Sequence, residues 1–79
     1  MEYNSFIRLN DMKNKFGERL KELRKDKNLS QKELGIKFGF SQTGVAKWEK
    51  GIREPSLDDL IMVADFFMVT TDYLLGRED

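Results

Sequence analysis

The sequence contains no cysteine, no histidine and a single proline among its 79 residues. The lack of cysteine and histidine excludes disulfides, thiolate or imidazole zinc sites, and catalysis by a cysteine or histidine nucleophile. No apolar run approaches the roughly 18 residues that a membrane-spanning helix needs, and Glu2 stands where a signal peptide carries basic residues. We therefore expect one cytoplasmic domain with no cofactor, metal, small-molecule ligand or membrane partner.

Charge of one sign does not dominate the chain, but each sign is concentrated in one part of it. There are 14 basic and 14 acidic side chains, so the net charge is zero. Residues 12–53 hold 12 Lys or Arg and 5 acids (+7), residues 54–79 hold one Arg and 7 acids (−6), and residues 1–11 contribute −1. Because the potential of the docking face steers a polyanion, neutrality argues only weakly against nucleic acid.

The pattern of apolar residues divides the chain into three parts. We predict an N-terminal arm at 1–14, a folded domain at 15–76 and a C-terminal tail at 77–79. The arm carries the apolar residues Phe6, Ile7 and Leu9 without a helix cap. We expect these side chains to pack against their own domain or a second subunit.

Capping residues and apolar spacing predict the first three helices. Helical spacing becomes clear from Phe16, and Asn28 is a plausible end for the first helix. Ser30 and Glu33 form a capping box for a second helix, which Gly39 ends. Ser41 is the predicted N-cap of a third helix, and Gly51 is the glycine expected to end it.

Two more helices follow the loop that contains Pro55. Ser56 caps a fourth helix, whose first turn carries acids that the helix dipole favours. Thr70 or Thr71 caps a short fifth helix, ended by Gly76. The predicted fold is thus all-α, with five short helices around one core.

The second and third helices, joined by a tight turn, have the arrangement of a helix-turn-helix. Three motifs follow one another: S-Q-x-E-L at 30–34, S-Q-x-x-V-x-K-W-E-x-G at 41–51, and E-P-S-L-x-x-L at 54–60. Together they resemble the lambda-repressor-like or XRE-type (Cro/CI) helix-turn-helix family over residues 16–76. The resemblance implies a compact five-helix fold that binds DNA.

The third helix has side chains suited to reading bases. If Val45 and Trp48 face inward, then Gln42, Thr43 and Lys47 must project outward. Glutamine bonds bidentately to adenine in the major groove, lysine reaches guanine, and threonine contacts the thymine methyl. Ala46 and Lys50 share this outward face. On an exposed helix outside such a motif, these side chains would usually be only solvated.

The resemblance implies further roles. Gln31 stands where the family contacts a phosphate and braces the first glutamine of the recognition helix, and Glu49 stands where the family pairs an acid with an arginine of the first helix, here Arg24. Trp48 is expected in the core rather than stacked on a base, and Arg53 is either a loop cation or a phosphate contact. The predicted DNA-binding residues are Gln31, Lys32, Ser41, Gln42, Thr43, Lys47, Lys50 and Arg53.

Three positions depart from the family pattern. Gly35 replaces the usual alanine, which lowers helix propensity by up to about 1 kcal/mol. Gly44 replaces a residue that is more often Ser, Thr or Ala, so it offers no side-chain contact. Met68 replaces a glycine after the fourth helix, which leaves the left-handed turn there open to question.

The predicted function is that of a sequence-specific repressor that binds double-stranded DNA at a palindromic operator as a homodimer. Two alternatives remain: an antitoxin that binds DNA and a partner protein, or a helix-turn-helix used only for protein interaction. No nucleophile and base pair, phosphate loop or metal cluster is present in the sequence, so we do not expect an enzyme.

Overall fold

The computed structural model describes residues 9–78 of the chain. The predicted packing of the N-terminal arm depends on side chains outside those that the structure describes, so it stays a prediction. No helix in the described part is long and apolar enough to cross a membrane.

Residues 9–78 form five helices and no strand, as predicted. The helices are α1 (Leu9–Asp26), α2 (Gln31–Phe38), α3 (Gln42–Glu49), α4 (Leu57–Phe67) and α5 (Thr71–Leu74). The first helix already includes residues before Phe16, where the helical spacing becomes clear in the sequence.

Side-chain caps begin the four later helices, as the sequence predicts. The Ser30 hydroxyl accepts a hydrogen bond from the Glu33 backbone N–H at 3.0 Å, and the Glu33 carboxylate accepts one from the Ser30 N–H at 2.8 Å. Ser41, Ser56 and Thr70 likewise accept a hydrogen bond from a backbone N–H in the first turn of α3, α4 and α5, and Ser56 also forms a reciprocal capping box with Asp59. Each cap satisfies a backbone donor that the first helical turn leaves free.

Residues with a left-handed backbone conformation (positive φ) end several helices. Gly39 has φ +72° after α2 and Gly51 has φ +73° after α3, while Asn28 has φ +57° after α1. Met68 has φ +58° after α4, so the left-handed turn persists although glycine is absent. A side chain in this conformation costs free energy, because its Cβ approaches the following carbonyl oxygen.

The core collects apolar side chains from all five helices. Its buried members are Phe16, Leu20, Leu34, Val45, Trp48, Leu60, Val63, Ala64, Phe67 and Leu74. On α4, however, Leu57 and Ile61 are exposed although they lie at helical spacing with buried neighbours.

Helices α1 and α3 approach each other closely at Gly17. A Cβ on Gly17 would overlap the carbonyl oxygen of Trp48 and lie 2.7 Å from that of Glu49. The backbone of α1 at Gly17 therefore lies directly against the last turn of α3, and this contact sets the distance between the two helices.

The C-terminal end of the described chain lies against α1. Arg19 donates a hydrogen bond to the carbonyl oxygen of Tyr73 at 2.8 Å, and its guanidinium lies 4.2 Å from the centroid of the Tyr73 ring. A second bond joins Arg19 to the carbonyl oxygen of Glu78 at 2.5 Å. These bonds hold α5 and the residues after it on the side of α1.

Candidate nucleic-acid interface

The turn between α2 and α3 is unusually close to α2. The Phe40 N–H donates to the Gly35 carbonyl at 2.7 Å, and the Gly39 N–H donates to that of Ile36 at 3.3 Å. A Cβ on Gly35 would lie 2.7 Å from the Phe40 carbonyl oxygen. The glycine at this position therefore allows the turn to approach α2 more closely than an alanine would.

Two large side chains determine which face of α3 is buried. Val45 and Trp48 are fully buried. The Trp48 ring meets Phe16 edge-on, with 5.7 Å between ring centroids, and lies 4.5 Å from the Phe40 ring at a tilt. Trp48 is thus a core residue, as predicted, and it cannot stack on a base without unpacking the domain.

The opposite face of α3 is available to a ligand. Ser41, Gln42, Thr43, Lys47 and Lys50 are exposed. The Ser41 hydroxyl is used as the cap of α3. Within residues 9–78, the side chains of Gln42, Thr43, Lys47 and Lys50 make no hydrogen bond or ion pair. Their donors and acceptors are therefore free to meet the edges of base pairs or phosphates.

Gly44 also lies on α3, but its Cα faces the turn. A Cβ there would lie 3.5 Å from Phe40 Cδ2 and from the Ser41 hydroxyl oxygen, which is ordinary van der Waals contact. The departure from the family pattern at this position thus leaves the exposed face of α3 unchanged.

A buried ion pair joins α1 to the end of α3. Arg24 Nε lies 2.6 Å from Glu49 Oε2, and its Nη2 donates to Oε1 at 3.0 Å. Arg24 also donates to the Leu29 carbonyl at 2.8 Å. The hydrogen bond with Glu49 raises the pKa of the Arg24 guanidinium above its usual range. The predicted pairing of these two residues is confirmed.

The start of α2 lies beside the end of α3. The Gln31 side chain is half-buried, and its Nε2 donates to Glu49 Oε1 at 3.0 Å. Within the described residues it forms no hydrogen bond with Gln42, so the predicted brace is replaced by a bond to Glu49. Lys32 follows on the exposed side of α2.

Arg53 lies near the turn of the helix-turn-helix. Its guanidinium is 5.6 Å from the centroid of the Phe40 ring, and its side chain is exposed. The Phe40 ring thus contacts the buried Trp48 and lies near the exposed Arg53. Sequence reasoning did not single out Phe40, although an aromatic residue in a short turn beside a left-handed glycine is a usable signal.

One acid accompanies the cations. Glu33 is exposed in the first turn of α2, and the hydrogen bond from the Ser30 backbone N–H is the main cause that lowers the pKa of its carboxyl. At neutral pH this acid is therefore ionised, and the positive charge of Lys37 also contributes to its lowered pKa. No group of three or more acids in residues 9–78 could hold a metal ion.

A family model described as "Helix-turn-helix" matches residues 20–74. The chain belongs to this family. The match spans the last part of α1 and all of α2 to α5, and it agrees with the XRE-type resemblance in the sequence.

Curated relatives support the same assignment. The HTH-type transcriptional regulator AnsR of Bacillus subtilis is 48% identical over 61 residues, which cover 77% of this chain and 53% of AnsR. The HTH-type transcriptional activator BcrR of Enterococcus faecalis is 41% identical over 81% of this chain and 31% of BcrR. The chain thus spans about half or less of the length of these relatives.

Solved structures share the fold. The P22 c2 repressor in complex with a synthetic operator superposes with a TM-score of 0.73 at 30% identity, covering 80% of this chain and 96% of that one. The restriction-modification controller protein C.AhdI from Aeromonas hydrophila gives 0.69 at 35% identity, covering 78% and 94%. The five-helix arrangement is therefore that of known helix-turn-helix regulators.

Proposed function

We propose that this domain binds specific sites on double-stranded DNA and regulates transcription, as a repressor that occupies a palindromic operator as a dimer. One observation carries the proposal: α3 buries Val45 and Trp48 and leaves Gln42, Thr43 and Lys47 exposed and without a partner among the described residues. A helix held in this way by a neighbouring helix is the unit that enters the major groove.

The exposed residues of α3 divide by position and chemistry. Gln42 and Thr43 stand in the first turn, the part of a recognition helix that meets base edges, and Lys47 lies about one turn further along. We assign adenine to Gln42, guanine to Lys47 and a thymine methyl to Thr43, because these pairings follow from the groups that each base presents.

The remaining predicted residues surround the recognition helix and suit phosphates. Lys32, Lys50 and Arg53 are exposed cations, Gln31 stands at the start of α2, and Ser41 is exposed beside the turn. Phosphate contacts fix the register of a protein on the duplex without reading sequence. We propose that these five residues position α3 over the bases.

The relatives support the proposed activity. AnsR and BcrR are described as a transcriptional regulator and activator, and the P22 c2 repressor is seen with an operator. A repressor is the form that we propose, and the same interface would serve an activator. No enzymatic activity is proposed.

A salt titration tests whether DNA is the partner. If the three cations Lys32, Lys50 and Arg53 each neutralise a phosphate, a dimer neutralises about 6, and log affinity falls against log salt with a slope near −5. Affinity for a labelled duplex should then fall about a thousandfold between about 50 and 200 mM salt. The net charge of zero predicts no such dependence.

Selection from a random duplex pool tests sequence specificity. We expect a two-fold symmetric consensus with half-sites about 34 Å apart, one helical turn. An asymmetric single half-site would contradict the dimer. A protein that binds no duplex at low salt would contradict DNA binding and favour the protein-interaction alternative.

A further inference from the structure

The Glu49 carboxylate, at the end of α3, contacts side chains of both α1 and α2. Its side chain is only 3% exposed at the last residue of α3. One oxygen, Oε2, accepts a hydrogen bond from Arg24 Nε at 2.6 Å. The other, Oε1, accepts hydrogen bonds from both Arg24 Nη2 and Gln31 Nε2 at 3.0 Å. The same acid therefore contacts the buried cation of α1 and the first side chain of α2.

A carboxylate paired with a guanidinium determines which edge of a glutamine faces it. The carboxylate only accepts hydrogen bonds, whereas a glutamine amide has a donating NH2 edge and an accepting oxygen. Gln31 must therefore turn its NH2 group toward Glu49, because the opposite orientation would place two acceptors together. One of its two N–H bonds is used there, and no other hydrogen bond of this side chain occurs within residues 9–78.

The second N–H of Gln31 belongs to the residue that begins α2, where backbone donors are also free. Gln31 is the first residue of α2, and the backbone N–H groups of Gln31 and Lys32 belong to the first turn, which has no acceptor inside a helix. The capping box engages only the N–H groups of Ser30 and Glu33. A phosphate here would receive the backbone donors and the second N–H of the Gln31 amide.

We propose that Glu49 is a positioning residue, which orients the Gln31 amide so that its second N–H is presented to a DNA phosphate. This inference rests on the proposed function. Arg24 holds Glu49 from the side of α1, so the donor at the start of α2 is oriented before DNA arrives. A side chain that is already ordered loses less conformational freedom on binding, and this raises affinity.

A double-mutant cycle on the selected duplex tests the proposal. Gln31→Ala in the natural chain should weaken binding about tenfold or more, the range of a hydrogen bond to a charged group. Glu49→Gln keeps the shape of the side chain but no longer requires the NH2 edge of Gln31. In the Glu49→Gln background, Gln31→Ala should lower the affinity for the duplex by less than about twofold. Equal losses in both backgrounds would overturn the proposal.

A core variant separates orientation from general loosening of the fold. Val63 is fully buried in α4, outside the helix-turn-helix, so Val63→Ala destabilises the domain without touching Glu49. In the Val63→Ala background, Gln31→Ala should still cost about tenfold. If Gln31→Ala no longer weakened DNA binding in the Val63→Ala background either, the coupling would reflect general loosening of the fold. That result would overturn the inference.

Proton–nitrogen NMR of the side-chain amides gives a readout in the free protein. One N–H of Gln31 should be shifted and protected from exchange with solvent, and Glu49→Gln should abolish both effects. Gln42, exposed on α3, serves as the reference in the same spectrum. A Gln31 amide that matches Gln42 in the natural chain would overturn the orientation. Absence of duplex binding with an oriented Gln31 would instead contradict the proposed function and, with it, the phosphate contact.

Discussion

Replacing Gly17 by alanine should destabilise the domain, although alanine favours helices. The added methyl would overlap the carbonyl oxygen of Trp48 and lie 2.7 Å from that of Glu49 and 2.9 Å from the Glu49 carbonyl carbon. These are backbone atoms near the end of α3, so no side-chain rotation can make room. The helices α1 and α3 must move apart instead.

The size of the effect follows from two opposing terms. Alanine in place of glycine inside a helix gains up to about 1 kcal/mol. Overpacking a close contact costs about 1–3 kcal/mol, occasionally more, and we place this contact at the upper end because the neighbours are backbone. The net loss in free energy of unfolding should be about 2 kcal/mol, which lowers the Tm of a domain of this size by about 10 °C.

Gly44→Ala is the matched control, since it makes the same chemical change inside α3. Its methyl would meet Phe40 and the Ser41 hydroxyl at 3.5 Å, without overlap. The helix propensity then acts alone and should stabilise the domain by up to about 1 kcal/mol. Urea unfolding followed by the fluorescence of the single tryptophan, Trp48, measures both variants. A Gly17→Ala variant that is as stable as the natural chain, or more stable, would refute the close approach of α1 and α3.

Four further outcomes are expected. Met68→Gly should raise the free energy of unfolding by about 1 kcal/mol in urea titrations, because Met68 is 91% exposed and holds a left-handed φ that glycine adopts without strain. The Glu33 carboxyl has a folded pKa lowered from 4.5, so its stabilising effect is present above that pH and is lost as the pH falls below it; the urea midpoint of Glu33→Gln should lack this part of the acid sensitivity. Lys47→Ala should cost about 1–3 kcal/mol on the selected site and relax preference at one base pair per half-site, and an equal loss on every sequence would make Lys47 a phosphate contact. Gln31→Ala should weaken binding in a gel-shift series without changing the selected consensus, since phosphates carry no base information.

Helix boundaries were predictable where a local signal exists. Ser30, Ser41 and Ser56 each cap the helix that the sequence places after them, because a hydroxyl beside a free backbone N–H acts within a few residues. The part of α1 before Phe16 was not predictable, since the sequence there shows neither a capping pattern nor a helical spacing of apolar residues. The fifth helix runs Thr71–Leu74 with Thr70 as its cap, one of the two capping residues that the sequence offered.

The close contacts at glycines depend on packing and were not predictable. Gly35 reads in the sequence only as a loss of helix propensity, whereas in the fold its missing Cβ admits the Phe40 carbonyl. Gly17 carries no signal at all, because its neighbour lies 31 positions away at Trp48 (48 minus 17). Met68 shows the converse case, in which the fold imposes a left-handed turn that the residue type disfavours.

The proposed base-reading face and the proposed phosphate donor differ in how far the sequence could predict them. The outward position of Gln42 and Lys47 follows from helical period once Trp48 is buried, so periodicity suffices. The orientation of the Gln31 amide depends on Glu49, whose place is set by the contact between α3 and Gly17. If this chain of contacts is correct, Gly17→Ala should displace the Glu49 carboxylate as well as destabilise the fold. The cost of Gln31→Ala for DNA binding should then shrink in the Gly17→Ala background and remain whole in the Gly44→Ala background, where the end of α3 stays in place. A cost that is unchanged in both would show that Gln31 is oriented without α1.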